Sequence, residues 1–258
     1  MSRPVAAITG PTSGLGEGFA RRYAVDGYDL VLIARDVERL ECLAAELRDE
    51  AGAQVEVIPA DLAVAAERAR VAERLRAGVQ VLVNNAGFGT AGEFWSTDFE
   101  TLQAQLDVNV TAVMQLTHAA LPSMLAAGTG TVLNVASVAG LLPGRGSTYS
   151  ASKAWVVSFS EGLANGLAGK GVGVHALCPG FVRTEFHERA GIDMAGTASF
   201  LWLEVDDVVR ETMADIAKQK VVIIPGLQYK ALTTGGRMVP RNVVRALTRV
   251  VGKGRDRT

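Results

Sequence analysis

Val5-Ala6-Ala7-Ile8-Thr9-Gly10-Pro11-Thr12-Ser13-Gly14-Leu15-Gly16 decides the fold. Val5–Thr9 reads as a short apolar strand. A Gly-x-x-x-Gly-x-Gly turn follows it, and Gly14 opens a helical stretch that Gly27 stops. Glycines let a backbone turn tightly and come close to a pyrophosphate, whose charge a helix N-terminus favours. A β–α junction of this kind is the first unit of a dinucleotide-binding sheet.

Outward from that junction the alternation repeats. Asp29–Ala34, Gln54–Pro59, Val79–Asn84, Gly130–Val135, Val172–Leu177 and Val221–Ile224 read as further strands. Val37–Ala51, Val64–Ala77, Phe99–Ala127, Tyr149–Ala168 and Val205–Gln219 read as helices between and after them. Near-continuous apolar strands separated by helices predict a parallel sheet covered on both faces. With right-handed crossovers this is an α/β, doubly wound Rossmann-type domain with a roughly seven-stranded sheet between helical layers. No linker, repeat or low-complexity segment interrupts the chain, so residues 1–258 read as one domain. Residues 183–203 lack clear periodicity and read as a substrate loop that orders over its ligands.

Composition narrows the function classes. Cys42 and Cys178 lack metal-ligand spacing and make no disulfide framework, which fits a reducing, cytoplasmic setting. His118, His175 and His187 form no ligand pair, so no metal site is expected. Met1–Thr9 lacks a signal-like apolar core, and no run of about eighteen apolar residues occurs. The net charge of −1 hides an asymmetry. From Lys218 onward Asp256 is the one acid against ten bases, Arg241, Arg245 and Arg249 among them. Pro240 suits a helix start, and Val243, Val244, Leu247, Val250 and Val251 form an apolar stripe beside those arginines. Residues 237–258 therefore read as a basic amphipathic tail. It packs on its own domain or a second subunit, or touches an anionic membrane peripherally. Nothing points to nucleic acid.

The glycine string resembles the classical branch of the short-chain dehydrogenase/reductase family, not the epimerase-like branch with Gly-x-x-Gly-x-x-Gly. Further motifs carry the resemblance in order from Val5 to Thr184: Asp61-Leu62, Asn84-Asn85-Ala86-Gly87, Ser137, Tyr149-x-x-x-Lys153 and Pro179-Gly180-x-x-x-Thr184. All sit at carboxyl ends of expected strands or open helices, where an open α/β sheet places ligands. The resemblance implies a hydride-transferring oxidoreductase of a carbonyl or alcohol substrate. Gly10, Thr12, Ser13, Gly14, Leu15 and Gly16 would hold the pyrophosphate, and Asp61 and Leu62 the adenine. Asn85, Ala86 and Gly87 would wall the cofactor. Pro179, Gly180, Val182 and Thr184 belong to the segment that would hold the nicotinamide carboxamide.

Cofactor choice lies at the end of Asp29–Ala34. A carboxylate there binds a ribose 2′-OH, and a guanidinium accommodates a 2′-phosphate. Ala34 takes the acidic position and Arg35 the next, as in NADP-preferring members, so NADP(H) is expected ahead of NAD(H). The other reading of Arg35 is a solvated surface residue. Asp36 reads as the cap of the following helix. Ser13 stands where some NADP-preferring relatives carry a second basic residue.

Tyr149 and Lys153, four apart, share a helix face. An ammonium about 5 Å from a phenol contributes on the order of 3 kcal/mol at an effective dielectric of about 20. That makes the phenol roughly a hundredfold more acidic, which suits general acid/base work. By resemblance Ser137 orients the substrate oxygen, Tyr149 exchanges its proton and Lys153 also binds the nicotinamide ribose. Asn109, in Asp107-Val108-Asn109, holds a water that connects Lys153 to solvent. Val138, Leu141, Leu142, Pro143, Phe181, Phe186, Ile192, Met194, Phe200, Leu201 and Trp202 would line an apolar pocket for a ketone, aldehyde or alcohol (3-ketoacyl, steroid-like or medium to long chain), or else cap the core. The family's helices here read as Thr111–Ala127 and Tyr149–Ala168 imply a homodimer or homotetramer. The competing reading is an NADP(H)-binding redox sensor or scaffold, which would not need Asn109, Ser137, Tyr149 and Lys153 together.

Overall fold

A computed structural model describes residues 3–141, 147–191 and 196–238. The first half of the sheet comes from β1 (Val5–Thr9), α1 (Gly14–Val25), β2 (Asp29–Ala34), α2 (Val37–Ala51), β3 (Val55–Pro59), α3 (Ala65–Arg76) and β4 (Val81–Asn84). Then follow α4 (Phe99–Leu106), a π-helical turn (Asp107–Ala112), α5 (Val113–Ala127), β5 (Gly130–Val135), α6 (Ser147–Gly166) and β6 (Val172–Leu177). The chain closes with β7 (Phe181–Val182), α7 (Phe186–Arg189), β8 (Trp202–Leu203), α8 (Val205–Ala217), β9 (Val222–Ile223) and α9 (Leu227–Met238).

Seven strands form one parallel sheet in the order β3-β2-β1-β4-β5-β6-β9. The expected α/β architecture is therefore present. The order reverses between β1 and β4, the crevice where such sheets bind ligands. The strands alternate faces residue by residue. Ile8, Leu30, Leu32 and Val83 pack with Phe19, Leu40, Leu47 and Val208 of α1, α2 and α8. Ala7, Val31, Ile33 and Leu82 pack with Leu75, Leu116 and Met124 of α3 and α5. Each such fully buried aliphatic side chain stabilises the fold by about 1.5–3 kcal/mol.

Several expected boundaries shift by one or two residues, and three departures matter more. The stretch Phe99–Ala127 is not one regular helix, because a π turn interrupts it at Asp107–Ala112. By length and composition alone that stretch is long and apolar enough to cross a membrane, yet its Leu116, Ala119, Ala120 and Met124 lie buried against the sheet. The expected loop 183–203 carries structure: α7, a 3-10 turn at Ser199–Leu201, and β8 paired in parallel with β7. The helix α9 was not expected from the sequence. The tail beyond Met238, with its subunit and membrane readings, lies outside the described residues, as do Leu142, Pro143, Ile192 and Met194.

Candidate active site

The phosphate loop is built around three glycines. Gly10 and Gly14 adopt φ of +64° and +58°, which L side chains rarely take. A Cβ on Gly16 would lie 2.2 Å from the Gly10 carbonyl oxygen and 2.4 Å from Asn85 Nδ2. Here α1 runs directly against the neighbouring loop, and only glycine fits. Ser13 precedes α1 without capping it through its side chain, whereas Asp36 and Asp98 accept from Arg39 and Thr101 at the starts of α2 and α4. The first N–H groups of α1 thus suit an anion from outside the chain, and the cradle fits the pyrophosphate of a dinucleotide. Gly16→Ala is expected to lower stability by about 1–3 kcal/mol through overpacking. It should also weaken binding of a nicotinamide dinucleotide at least about tenfold, by the loss of loop geometry. Thermal unfolding and fluorescence titrations with NADPH and NADH check both.

Thr9 ties this loop to the end of β4. Its Oγ1 accepts from the backbone N–H groups of Asn85 and Ala86 at 3.0 and 2.9 Å. Asn85 Nδ2 donates back to the Thr9 and Gly10 carbonyls at 2.9 Å each. Asn84 turns the other way, donating to Thr117 and Asn134, and Asn134 donates to Ser160. This buried chain fixes β4, β5, α5 and α6 relative to one another.

On the adenosine side Arg35 is exposed, with 74% of its side chain accessible, and pairs with Asp61 at 3.7 Å. The two residues assigned to the 2′-phosphate and the adenine therefore sit together. Asp36 is the cap expected, its Oδ1 accepting from Arg39 N at 3.0 Å. Leu62 turns its side chain into the core. Arg68, buried, donates to the Leu62 and Ala63 carbonyls at 2.7 and 3.0 Å and to Gln115, and pairs with Asp107. It secures the loop after β3 to the π turn and α5, a role with no motif to announce it. Arg39 reaches Glu185 at 3.0 Å, joining α2 to the loop after Thr184. That guanidinium holds the Glu185 carboxyl below the usual carboxylate range. A Cβ on Gly14 would lie 2.7 Å from Thr184 Cγ2, so the Pro179–Thr184 segment lies on the phosphate loop.

The remaining four residues lie on β5, α6 and the π turn and the segments joined to them. Ser137 follows β5, and its Oγ accepts from Ala139 N at 3.1 Å, which leaves its O–H able to donate. The turn it starts, Val138–Gly140, rests on α6: a Cβ on Gly140 would lie 2.6 Å from the Lys153 carbonyl carbon. Lys153, 4% exposed, donates to the Val135 carbonyl at 2.8 Å, and its Nζ lies 5.8 Å from the Tyr149 ring centre. Burial pushes the ammonium down to about 8, so it still carries charge at neutral pH. Asn109 sits in the π turn. Its amide donates to the Phe88 carbonyl and Ser152 Oγ at 3.0 and 3.3 Å and accepts from Phe88 N at 3.1 Å. A Cβ on Gly87 would lie 2.9 Å from Asn109 Oδ1 and 3.2 Å from Lys153 Nζ, so the Asn-Asn-Ala-Gly loop meets both.

On one side Tyr149 meets apolar side chains. Its ring lies 5.9 Å from that of Phe186, and a Cβ on Gly89 would touch Tyr149, Phe186 and Ala190. Beside them His187 packs edge to face against Phe181 and Trp202, whose own rings are tilted to each other at 5.9 Å. Phe200 is exposed. Arg183 lies over Trp202 and pairs with Glu204 at 2.9 Å. Cys42 and Cys178 are free thiols, and no group of potential metal ligands occurs among the described residues.

Comparison with known proteins agrees with this fold. The family model for short chain dehydrogenases matches residues 4–194. The sulfoacetaldehyde reductase of Chromohalobacter salexigens is 40% identical, over 84% of this chain and 86% of its own. A short-chain dehydrogenase from Sphingobium yanoikuyae, solved in complex with NADPH, is 37% identical with a TM-score of 0.84, over 97% of this chain and 96% of its own. A short chain dehydrogenase/reductase from Burkholderia phymatum, solved in complex with NAD, is 32% identical with a TM-score of 0.79, over 90% and 92%.

Proposed function

This chain belongs to the short-chain dehydrogenase/reductase family of oxidoreductases acting on carbonyl and alcohol groups, and we propose that it is an NADP(H)-dependent member acting on an apolar ketone, aldehyde or alcohol. What supports the proposal is that Lys153 lies beside the Tyr149 ring and, with Asn109, borders Gly87, while Ser137 starts the turn that rests on the Lys153 backbone. A sensor without turnover has no need of that set.

The cofactor, when bound, supplies or accepts the hydride. The chain does the rest. The Ser137 hydroxyl donates to the substrate oxygen and fixes its direction. Tyr149 delivers a proton to that oxygen in reduction and removes it in oxidation. The Lys153 ammonium stabilises the phenolate and binds the ribose. Asn109 holds the loop from Gly87 to Phe88 in place beside Lys153.

Arg35 with Ala34 supports NADP(H) over NAD(H), since a carboxylate that would bind a 2′-OH is missing from position 34. The NADPH complex of the Sphingobium relative agrees with this, and the NAD complex of the Burkholderia one makes the test necessary. Ala34→Asp with Arg35→Ala is expected to shift the ratio of kcat/KM values toward NADH by about tenfold or more, the value of a charge-assisted phosphate contact. Steady-state assays with both cofactors measure it, and an unsubstituted protein that already prefers NADH overturns the assignment. Phe186 and Ala190 beside Tyr149 favour an apolar substrate over the sulfonated aldehyde of the Chromohalobacter relative, for Arg183 is engaged by Glu204 and Trp202. A panel of ketones and aldehydes with NADPH, sulfoacetaldehyde among them and followed at the nicotinamide absorbance, decides the class. No turnover on any of them would favour the sensor.

A further inference from the structure

Tyr229 lies on α9, beyond every motif of the site, yet it is 2% exposed and touches the site's frame at three points. Its hydroxyl accepts from Phe181 N at 2.9 Å and donates to the Leu201 carbonyl at 2.6 Å. Its ring covers Gly180: a Cβ there would lie 1.9 Å from Tyr229 Cζ. Phe181 lies two residues before the substrate loop and Leu201 two residues before its end, just where β7 and β8 pair through Phe181 with Trp202 and Val182 with Leu203. One phenol therefore bolts the loop's entry to its exit. It also backs the Pro179-Gly180 turn, which explains why glycine is needed there. The neighbouring Gln228 donates to the Phe200 carbonyl at 3.2 Å, so the first turn of α9 is docked along this edge. The next residue, Lys230, pairs with Glu211 of α8 at 2.6 Å and holds the same turn of the helix from another side.

We propose that Tyr229 is a positioning residue for the reaction: it fixes the hinge of the substrate loop and the back of the nicotinamide-binding turn, and acts on substrate through Phe181 and Leu201. As donor and acceptor at once, the phenol must stay protonated, and burial keeps its acidity low. A ring without the hydroxyl fills the same space and removes the two hydrogen bonds to the Phe181 N–H and the Leu201 carbonyl. The loop then opens from its base while the fold persists. The kinetic side of this inference rests on the oxidoreductase reading; the structural side does not.

The experiment compares Tyr229→Phe with Lys230→Met in the full chain. Lys230→Met loosens the same helix without touching the loop, so it reports what a purely structural role does. For Tyr229→Phe, hydrogen exchange at Phe181–Arg183 and residues 196–203 should quicken by about tenfold. KM for the best carbonyl substrate should rise by a similar factor, with the NADPH dissociation constant within about twofold. Lys230→Met should leave exchange in those segments and KM unchanged. The inference is overturned if Tyr229→Phe exchanges and binds substrate like the unsubstituted protein. It is equally overturned if both variants lower the melting temperature alike with KM unmoved. If the unsubstituted protein turns over no carbonyl compound, the proposed function fails, and the exchange result alone decides the role of Tyr229.

Discussion

Tyr149→Phe is expected to lower kcat by about 10²–10⁴, the usual contribution of a positioned acid/base group. NADPH affinity should stay within about twofold, since the substitution leaves the ring, its contact with Phe186 and the cofactor cradle in place. Only the exchangeable proton and the bond to the substrate oxygen go. Single-turnover reduction measures the chemical step apart from cofactor release, and a fluorescence titration measures binding. For alcohol oxidation by the unsubstituted protein, the rate should rise with pH as the phenol ionises. The Lys153 ammonium, 5.8 Å from the ring centre, is placed to support the charged phenolate in that direction. A Tyr149→Phe protein with near-normal kcat would remove Tyr149 from the mechanism and leave the sensor reading standing.

The parts of this molecule legible in its sequence are those fixed by local periodicity. Leu30 and Leu32 face one core and Val31 and Ile33 the other, and this two-residue alternation within an apolar run announces a strand buried on both faces. Gly10, Gly14 and Gly16 announce the phosphate loop because no other residue fits their backbone or their contacts. Asp36 announces its own helix.

What stayed hidden depends on partners distant in the chain. Asp107-Val108-Asn109-Val110 satisfies a regular helix pattern, and the widened turn coincides with bonds from Asn109 to Phe88 and Ser152. No local signal marks those partners. Two-residue strands such as β7 and β8 are too short to show alternation. The α9 helix contains two threonines and two glycines, poor helix formers, and is held by Tyr229 and Lys230 to elements earlier in the chain. The Arg39–Glu185 pair joins residues that only the fold brings together.

Lys153→Met tests the other half of the chemistry and should separate function from stability. Activity should fall by about 10² or more, since the charge beside Tyr149 and the proposed ribose contact go together. NADPH affinity should fall with it, unlike in Tyr149→Phe. Stability should move the other way as a function of pH. Burial holds the Lys153 ammonium at about 8, against 10.5 in an unfolded chain. Below pH 8 both states are protonated, and the folded protein carries the full cost of the buried charge, on the order of 3 kcal/mol. Between pH 8 and 10.5 the unfolded chain binds more protons than the folded one. The stability of the unsubstituted protein therefore rises with pH across that window. Methionine has nearly the same reach and no charge, so its variant lacks this rise. It leaves the Val135 carbonyl unpaired, a cost that does not depend on pH. The stability of Lys153→Met relative to the unsubstituted protein should thus be greater at pH 7 than at pH 9.5 by about 2 kcal/mol. Denaturant unfolding of both proteins at the two pH values gives the difference, in which other titrating groups cancel. Parallel curves would mean that the ammonium is hydrated in the folded protein. Lys153 would then not be the dry, fixed charge that the proposed role of Tyr149 requires.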